Sequence, residues 1–321
     1  MGDYEALAAT AEKVVRENYS YLCIRQPEVD KALASLAEGA ANVSTDMEFH
    51  ELLNSSLSVI PDPHLRIISS DGRGRSAFNR EQKSNYSRGR VIPYLEGITQ
   101  SGPLIWGSIG DVFYLAAESA SRSFEDDYKR FCEQPSPKHD AVIVDLRSNG
   151  GGSDTLTSAI TSTLMGNGER TVSQYIRERT SKSDPLALSD FEPFHVEYNK
   201  SLRRRVVVLV GAQTLSAGED MALDMAAIPG TVVIGDRTGG GSGCPQRYLL
   251  DGPHAGLNIG QNRGLDDATF ALDIPSWLKY RKDKVLLEGN GVIPDIVIPT
   301  DQTFVNGNDK VLERAIELLT T

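Results

Sequence analysis

One local pattern constrains the fold of this chain more than any other feature: a buried strand, then a turn of small residues, then a helix. It occurs first in HDAVIVDLRSNGGGSDTLTSAITSTLM at 139–165 and again in RRVVVLVGAQTLSAGEDMALDM at 204–225. A further buried strand, TVVIG, follows at 231–235. Strands that alternate with helices in this way are typical of a parallel sheet with crossover helices. The predicted fold class is therefore α/β.

The N-terminal part of the chain has a different periodicity. Apolar residues recur at helical spacing in EALAATAEKVVRENYSYL, VDKALASLAEGAA and EFHELLNSSLSVI, and PDP at 61–63 then ends the pattern. We predict a small helical domain at 1–65 and an α/β core at 66–321. The stretch 71–90 is polar and punctuated by glycine. This composition predicts a mobile loop that could act as a lid.

Composition argues against several classes of partner. The chain of 321 residues carries a net charge of −11, which disfavours nucleic-acid binding because phosphate contacts need clustered Lys and Arg. No apolar run approaches the roughly 18 residues of a membrane span. The three cysteines have neither a disulfide nor a zinc spacing, and no secretory signal opens the sequence. We expect a cytoplasmic protein without metal or other cofactor, while self-association into a homo-oligomer stays open.

The glycine turn after the first buried strand is a candidate ligand-binding loop. Its sequence is Asn149-Gly150-Gly151-Gly152, and it lies where a parallel strand ends, which is where α/β sheets form their binding crevice. A phosphate loop is not supported, because the later run Gly235–Gly240 has the glycine spacing but not the Lys that should follow. The backbone N–H groups suit an oxyanion instead, although a plain flexible turn explains the glycines as well.

Ser216 lies at the corresponding point of the second unit, between strand and helix. Ser216-Ala217-Gly218-Glu219 fits a capping box, in which the serine and the glutamate three residues later serve the helix start. It also fits a nucleophile at a strand–helix elbow, with the Ala217 amide as an oxyanion donor. The local sequence leaves both interpretations open.

A serine nucleophile needs a base, and the base needs a group that orients it. One histidine lies in a rigid Asp62-Pro-His64 turn, with a carboxylate two residues away. Spacing alone does not select it among the five histidines His50, His64, His139, His195 and His254.

Four motifs, in order, resemble those of the S41 serine peptidases, which include the C-terminal processing proteases and tricorn-core relatives. They are AVIVDLRSNGGG, VVVLVGAQTLSAGED, TVVIGDRTGGGSG and GNGVIPDIVIP, and the resemblance covers about 60–321. It implies a crotonase/ClpP-like α/β spiral core and a hydrolase with Ser216 as nucleophile. The amides of Ala217 and of Gly150 or Gly151 would hold the oxyanion.

Two departures from the family pattern restrict the resemblance to one branch of the family. The bacterial processing branch uses a lysine base, but Gly241 stands at that position and 201–278 contains no lysine. The stretch 66–105 is also too short for the PDZ module of many relatives. The chain is therefore similar to the tricorn-like Ser-His-Glu branch, which implies His64 as base, helped by Asp62, and Glu288 as its orienting group. A solvated turn carboxylate is the alternative for Glu288.

The expected function is that of a serine peptidase acting through an acyl-enzyme on Ser216. The same chemistry would serve a hydrolase or acyl transferase that acts on a small ester, lactone or modified peptide. The retinoid-binding modules of the eye resemble the same core, so a binding protein for an apolar ligand is a further alternative. The expected partner is accordingly a peptide or a small acyl substrate.

Overall fold

The computed structural model describes residues 3–68, 74–78, 82–134, 137–261, 264–265 and 267–321. Its α-helices are α1 (Tyr4–Asn18), α2 (Leu22–Ala40), α3 (Asp46–Leu57), α4 (Arg88–Val91), α5 (Glu125–Cys132), α6 (Asp154–Met165), α7 (Ala217–Ala226) and α8 (Lys310–Thr320). Its first strands are β1 (Arg66–Ile68), β2 (Gly74–Ser76), β3 (Glu96–Ser101), β4 (Leu104–Ile109), β5 (Val112–Ala117), β6 (Ala141–Asp145), β7 (Glu169–Glu178) and β8 (Glu192–Tyr198). The later strands are β9 (Arg205–Val210), β10 (Thr231–Gly235), β11 (Pro245–Leu249), β12 (Asn258–Gly260), β13 (Ala271–Pro275), β14 (Trp277–Arg281), β15 (Ile296–Val297), β16 (Phe304–Val305) and β17 (Asn308–Asp309).

The chain forms two compact units, each built from three separate segments. The first contains Met1–Glu81, Ile176–Phe191 and Gly241–Lys279, and the second contains the remaining segments, Gln82–Tyr175, Glu192–Gly240 and Tyr280–Thr321. The boundary expected between residues 65 and 66 falls inside the first unit. The physical reason is that β1 pairs with β13, so the chain after residue 65 joins a sheet whose other strands come much later.

The first unit combines α1, α2 and α3 with a five-stranded antiparallel sheet. The strand order is β12-β11-β13-β1-β2, and the three helices are those that the apolar periodicity predicts. Part of the stretch 71–90 differs from the predicted loop, because β2 pairs with β1 across Ile67 and Arg75. Residues 71–73 and 79–81 of that stretch lie outside the described residues.

The second unit has the α/β core that the sequence predicts. Its seven strands lie in the order β15-β10-β9-β6-β5-β4-β3; neighbours from β15 to β5 are parallel, whereas β4 and β3 are antiparallel. Alternate residues of the buried strands face opposite sides. One side packs against α5, α6 and α7, and the other against α8. Because β6 and β9 are adjacent and parallel, the loops that follow them meet at one edge of the sheet.

No helix in the described part of the chain is both long and apolar enough to cross a membrane.

Candidate active site

Ser216 occupies a sharp turn between β9 and α7. The Gly218 N–H donates to the Leu215 carbonyl at 3.0 Å and closes this turn. Ser216 has φ +56° and ψ −126°, the conformation of the first central residue of a type II′ turn, which favours glycine. A non-glycine residue held there stores about 1–3 kcal/mol of strain, and such strain often marks a functional position.

The capping interpretation of Ser216 is only part of the arrangement. The Ser216 N–H does donate to Oε2 of Glu219 at 3.3 Å, as a capping box requires. The Glu219 N–H, however, donates to the Ser216 carbonyl at 2.8 Å. That amide therefore has a backbone acceptor in addition to the side chain of the half-buried Ser216, which completes the capping box.

The glycine loop after β6 packs directly on the Ser216 turn. A Cβ added to Gly151 would lie 2.6 Å from the Ser216 Cβ and 3.1 Å from the Ala217 nitrogen. The Gly151 N–H donates to Asn149 Oδ1 at 2.9 Å, so it is already used. The N–H groups of Gly150 and Ala217 have no acceptor among the described residues, and the Cβ position of Gly150 faces open space. Of the two glycine amides that the sequence offered, Gly150 is thus the one free to bind an oxyanion.

Asn149 is the residue that joins the loop to the turn, a role that sequence reasoning missed. Its side chain is fully buried and donates to the Ala117 carbonyl at 2.8 Å. Its carbonyl accepts the Leu215 N–H at 2.9 Å. The only signal in the sequence is its place before three glycines, which suggests a turn rather than a clamp.

Glu219 connects the Ser216 turn to the glycine-rich loop after β10. It is completely buried; its Oε1 accepts hydrogen bonds from the Thr238 hydroxyl and from the Gly240 N–H, the latter at 2.9 Å. The Thr238 hydroxyl in turn accepts the Val292 N–H at 2.6 Å. This carboxylate therefore organises the site in addition to completing a capping pattern.

Glu288 lies on the segment that this loop holds in place. The Gly289 N–H donates to the Gly240 carbonyl at 2.8 Å, and a Cβ on Gly240 would lie 2.9 Å from the Gly291 nitrogen. Glu288 itself is only 4% exposed. The alternative of a solvated turn carboxylate is therefore wrong. Glu288 and Ser216 are held by the same series of contacts within the second unit.

Asp62 and His64 belong to the first unit. Asp62 is fully buried, and its Oδ1 accepts the backbone N–H of His64 at 2.8 Å, which is the geometry of an Asx turn. Its Oδ2 accepts hydrogen bonds from the Tyr19 hydroxyl at 2.7 Å and from Arg25 at 2.9 Å. Asp62 thus fixes the backbone of His64 and makes no hydrogen bond to the ring.

The imidazole of His64 is buried, at 1% exposure, and neither ring nitrogen has a hydrogen-bond partner among the described residues. Burial lowers the pKa of His64 well below 6.5, and the positive charges of Arg66 and Lys279 lower it further. A neutral imidazole with both nitrogens unused suits a proton acceptor. The hydrogen bonds that would join it to Ser216 and Glu288 stay predictions.

The described end of the stretch 71–90 is anchored to the core of the second unit. Asn85 Nδ2 donates to the Val210 carbonyl at 3.0 Å, and the Asn85 carbonyl accepts from the buried Arg147 at 2.9 Å. The Tyr86 hydroxyl donates to Glu118 at 2.8 Å. These contacts hold residues 85 and 86 at the carboxyl ends of the central strands. This part of the stretch is therefore fixed, unlike the mobile loop that its composition predicts.

Within the described ranges, no group of three or more His, Cys, Asp or Glu side chains could hold a metal ion. The second unit offers a serine hydroxyl, carboxylates and free backbone amides, and the first unit offers a neutral imidazole.

Comparison with known proteins identifies the fold and the family. The model of peptidase family S41 matches residues 111–298. A "putative peptidase" from Parabacteroides merdae ATCC 43184 is similar in structure, with a TM-score of 0.73 and 21% identity over 100% of this chain and 98% of that one. Mature CPAF has a TM-score of 0.64 and 12% identity, over 98% and 96% of the two chains. The tricorn protease has a TM-score of 0.58 and 15% identity, over 99% of this chain and 36% of that one.

At these identities the solved structures show a shared fold. The family match is the stronger finding, because it spans more than half of the sequence and includes the strand before the glycine loop, the Ser216 turn and Glu288. This chain therefore belongs to peptidase family S41.

Proposed function

We propose that this serine peptidase cleaves peptide bonds through an acyl-enzyme on Ser216, with His64 as general base and Glu288 as the group that orients the imidazole. Family membership carries the class of reaction. The roles of the individual residues rest on the site described above.

One observation carries the nucleophile assignment. Ser216 is held in a strained turn beside two backbone N–H groups, those of Ala217 and Gly150, which have no acceptor among the described residues. Ala217 is buried and Gly150 is exposed. Buried amides normally find partners, so an open Ala217 amide next to a serine, with the Gly150 amide facing open space, favours a site built for a developing negative charge. A helix cap alone would require neither the strain nor the second donor loop.

The proposed reaction begins when the Ser216 Oγ attacks the carbonyl carbon of the scissile amide, while His64 accepts the hydroxyl proton. The carbonyl oxygen becomes an oxyanion and accepts hydrogen bonds from the Ala217 and Gly150 N–H groups. Collapse of this intermediate breaks the C–N bond, and His64 donates its proton to the leaving amine. Water, deprotonated by His64, then releases the acyl group and restores the serine.

Proton transfer from Ser216 to His64 requires a short distance between their side chains. His64 has to approach the Ser216 Oγ to hydrogen-bond distance, about 2.6–3.2 Å between heavy atoms, when substrate is bound. Its unused ring nitrogens and the buried carboxylate of Glu288 support the roles of base and orienting group.

A fluorophosphonate probe tests the nucleophile directly. We expect the wild-type protein to be labelled at Ser216 and to cleave members of a peptide library, whereas Ser216→Ala should do neither. Ser153→Ala is the matched control, because Ser153 is also the N-cap residue of a helix that follows a parallel strand. Labelling that persists in Ser216→Ala would overturn the assignment. Turnover of esters but not of any peptide would identify an acyl hydrolase instead.

Histidine variants test the base separately. His64→Ala should lower kcat/KM by about 100- to 10,000-fold, the usual contribution of general-base catalysis. His254→Ala, at an exposed loop position, should retain activity. If His64→Ala keeps wild-type activity, another group is the base.

A further inference from the structure

A row of charged side chains crosses the sheet of the first unit next to His64. The strand register places Arg66 opposite Asp273, and Asp273 opposite Arg247 on the far side. Residues that are directly opposite on adjacent strands have neighbouring side chains on one face of the sheet. The row therefore contains two guanidinium groups and one carboxylate.

Asp273, the single carboxylate of the row, forms an ion pair with one of the two arginines beside it. Arg247 binds Asp273 with two hydrogen bonds, from Nε to Oδ1 at 2.8 Å and from a terminal nitrogen to Oδ2 at 3.2 Å. A second carboxylate nearby among the described residues, Asp62, forms an ion pair with Arg25 at 2.9 Å. Each of these two carboxylates thus has an arginine of its own.

Arg66 makes no ion pair with any carboxylate of the described residues. Its Nε donates to the Pro63 carbonyl at 3.3 Å, which holds the side chain against the Asp62–His64 turn. The residue is half-buried. Burial lowers the pKa of Arg66 below its ordinary value, although the carboxylates of Asp273 and Asp62 attract its charge, so a further anion would stabilise the charged group. The planar fork of donors suits a carboxylate above other anions.

We propose that Arg66 is a substrate-binding residue that receives a carboxylate of the peptide, close to the base His64. This inference rests on the proposed function, because His64 must act on the scissile bond for the carboxylate to lie near it. The carboxylate has two sources: the C-terminal group of the peptide, or an Asp or Glu side chain near the cleaved bond.

On the side of β2, the backbone of Gly74 lies directly against the row. A Cβ added to Gly74 would lie 3.2 Å from the Arg66 Cδ and 3.3 Å from Asp273 Oδ2. Any larger side chain there would crowd the row. In addition, the positive charge of Arg66 helps to hold the pKa of His64 low, so a bound carboxylate would offset a charge that opposes protonation of the base during catalysis.

The test uses matched peptides that differ only in one carboxylate. One pair has Glu or Gln beside the cleaved bond, and the other has a free or an amidated C-terminus. Binding to the inactive Ser216→Ala protein is measured for all four peptides, and kcat and KM are measured for the active protein. We expect one acidic member to bind about tenfold or more tightly than its neutral partner, as is usual for hydrogen bonds between charged groups. The pair that shows the difference identifies the source of the carboxylate.

Variants then assign the preference to Arg66. Arg66→Met should abolish the preference by weakening only the acidic peptide, and Arg66→Lys should restore part of it, since it keeps the charge without the fork. Arg75→Met is the matched control, because Arg75 lies on the neighbouring strand, opposite Ile67 rather than Arg66, and is exposed. It should keep the full preference.

Two results would overturn the inference: equal binding of acidic and neutral peptides by the Ser216→Ala protein, or a preference that survives in a folded Arg66→Met protein. The first readout needs no Arg66 variant, so a loss of folding cannot hide the answer. Failure of the proposed function looks different. In that case no peptide is cleaved and Ser216 is not labelled, while the binding preference is still measured independently.

Discussion

Ser216 meets two demands that usually fall on different residue types. Its backbone needs the positive φ that glycine adopts freely, whereas its chemistry needs a hydroxyl. We therefore predict that Ser216→Gly makes the protein more stable to unfolding than Ser216→Ala, by up to about 1 kcal/mol, because only glycine relieves the strain. Both variants should lack peptidase activity. Urea denaturation and a peptide assay measure the two effects.

The comparison with the wild type is what makes this prediction specific. If Ser216 served only as a helix cap, Ser216→Gly would be a few tenths of a kcal/mol less stable than the wild type, although still more stable than Ser216→Ala. Relief of strain should instead make Ser216→Gly at least as stable as the wild type, and a clear loss of stability in Ser216→Gly would show that the turn is not strained in solution.

His64 makes the stability of the folded protein depend on pH. Burial, with Arg66 and Lys279, holds its pKa well below the 6.5 of an ordinary histidine, so below about pH 6.5 the unfolded chain binds a proton that the folded chain does not. The free energy of unfolding should therefore fall as the pH drops from about 6.5 towards the folded-state pKa, by about 1.4 kcal/mol per pH unit, and be insensitive to this group above about 6.5.

The measurement is the urea midpoint at several pH values for the wild type and for His64→Gln. Subtracting the two curves isolates His64 from other titrating groups, and the exposed His254→Gln serves as the control. If the wild-type and His64→Gln curves stay parallel below pH 6.5, the imidazole is not buried in the neutral form.

At the scale of single residues, the sequence could indicate the reacting groups but not their surroundings. Ser216 and the glycine amides follow from strand–turn–helix patterns that are local in the chain. The burial of Glu288 and the surroundings of Arg66 depend on contacts with residues such as Gly240 or Asp273, far away in sequence. No local pattern encodes those contacts, so they could not be predicted.

Among the secondary-structure elements, the decisive contact is between the glycine loop after β6 and the turn before α7. Gly151 combines φ +95° with a Cβ position 2.6 Å from the Ser216 Cβ. Gly151→Ala should therefore push the loop away from Ser216 and lower both stability and activity. We expect a loss of about 1–3 kcal/mol in unfolding free energy, as overpacking usually causes. Thermal unfolding and kcat/KM are the measurements.

Gly150→Ala is the matched control for this loop. Its Cβ would meet nothing within 4 Å, and its backbone N–H would remain as an oxyanion donor, so the variant should fold like the wild type. Equal stability of the two alanine variants would mean that the loop does not pack tightly on the turn.

The strands that could be predicted are those with long apolar runs. β6 and β9 are buried on both faces and consist of Val, Ile and Leu over most of their length. The short strand β2 contains GRS and is mostly exposed, so its composition indicates a loop. Pairing with β1 makes it a strand, and that pairing is a property of the tertiary structure rather than of the segment.

At the scale of the whole molecule, the segments that share the core of the first unit determine where the domain boundary lies. Its helices α1–α3 and its later strands share one core: the Phe49 and Phe270 rings meet with centroids 5.0 Å apart, and the Ser20 N–H donates to the Pro275 carbonyl at 3.0 Å. Arg179 also donates to the Arg16 carbonyl at 2.7 Å. Each large apolar side chain buried on folding contributes about 1.5–3 kcal/mol, so losing the helices removes more than a typical domain stability of about 5–15 kcal/mol.

A protein consisting of residues 66–321 should therefore lose the folded first unit. We expect protease to cut it within 176–191 and 241–279, where the full-length chain resists, while the seven-stranded sheet of the second unit, with α5–α8 packed on its two faces, stays protected. Limited proteolysis with mass spectrometry of the fragments, run beside the full-length chain, measures this. Equal resistance in 241–279 for both proteins would show that residues 1–65 form a separate domain, as their helical periodicity alone suggests, and that the sheet of the first unit needs no helices to cover it.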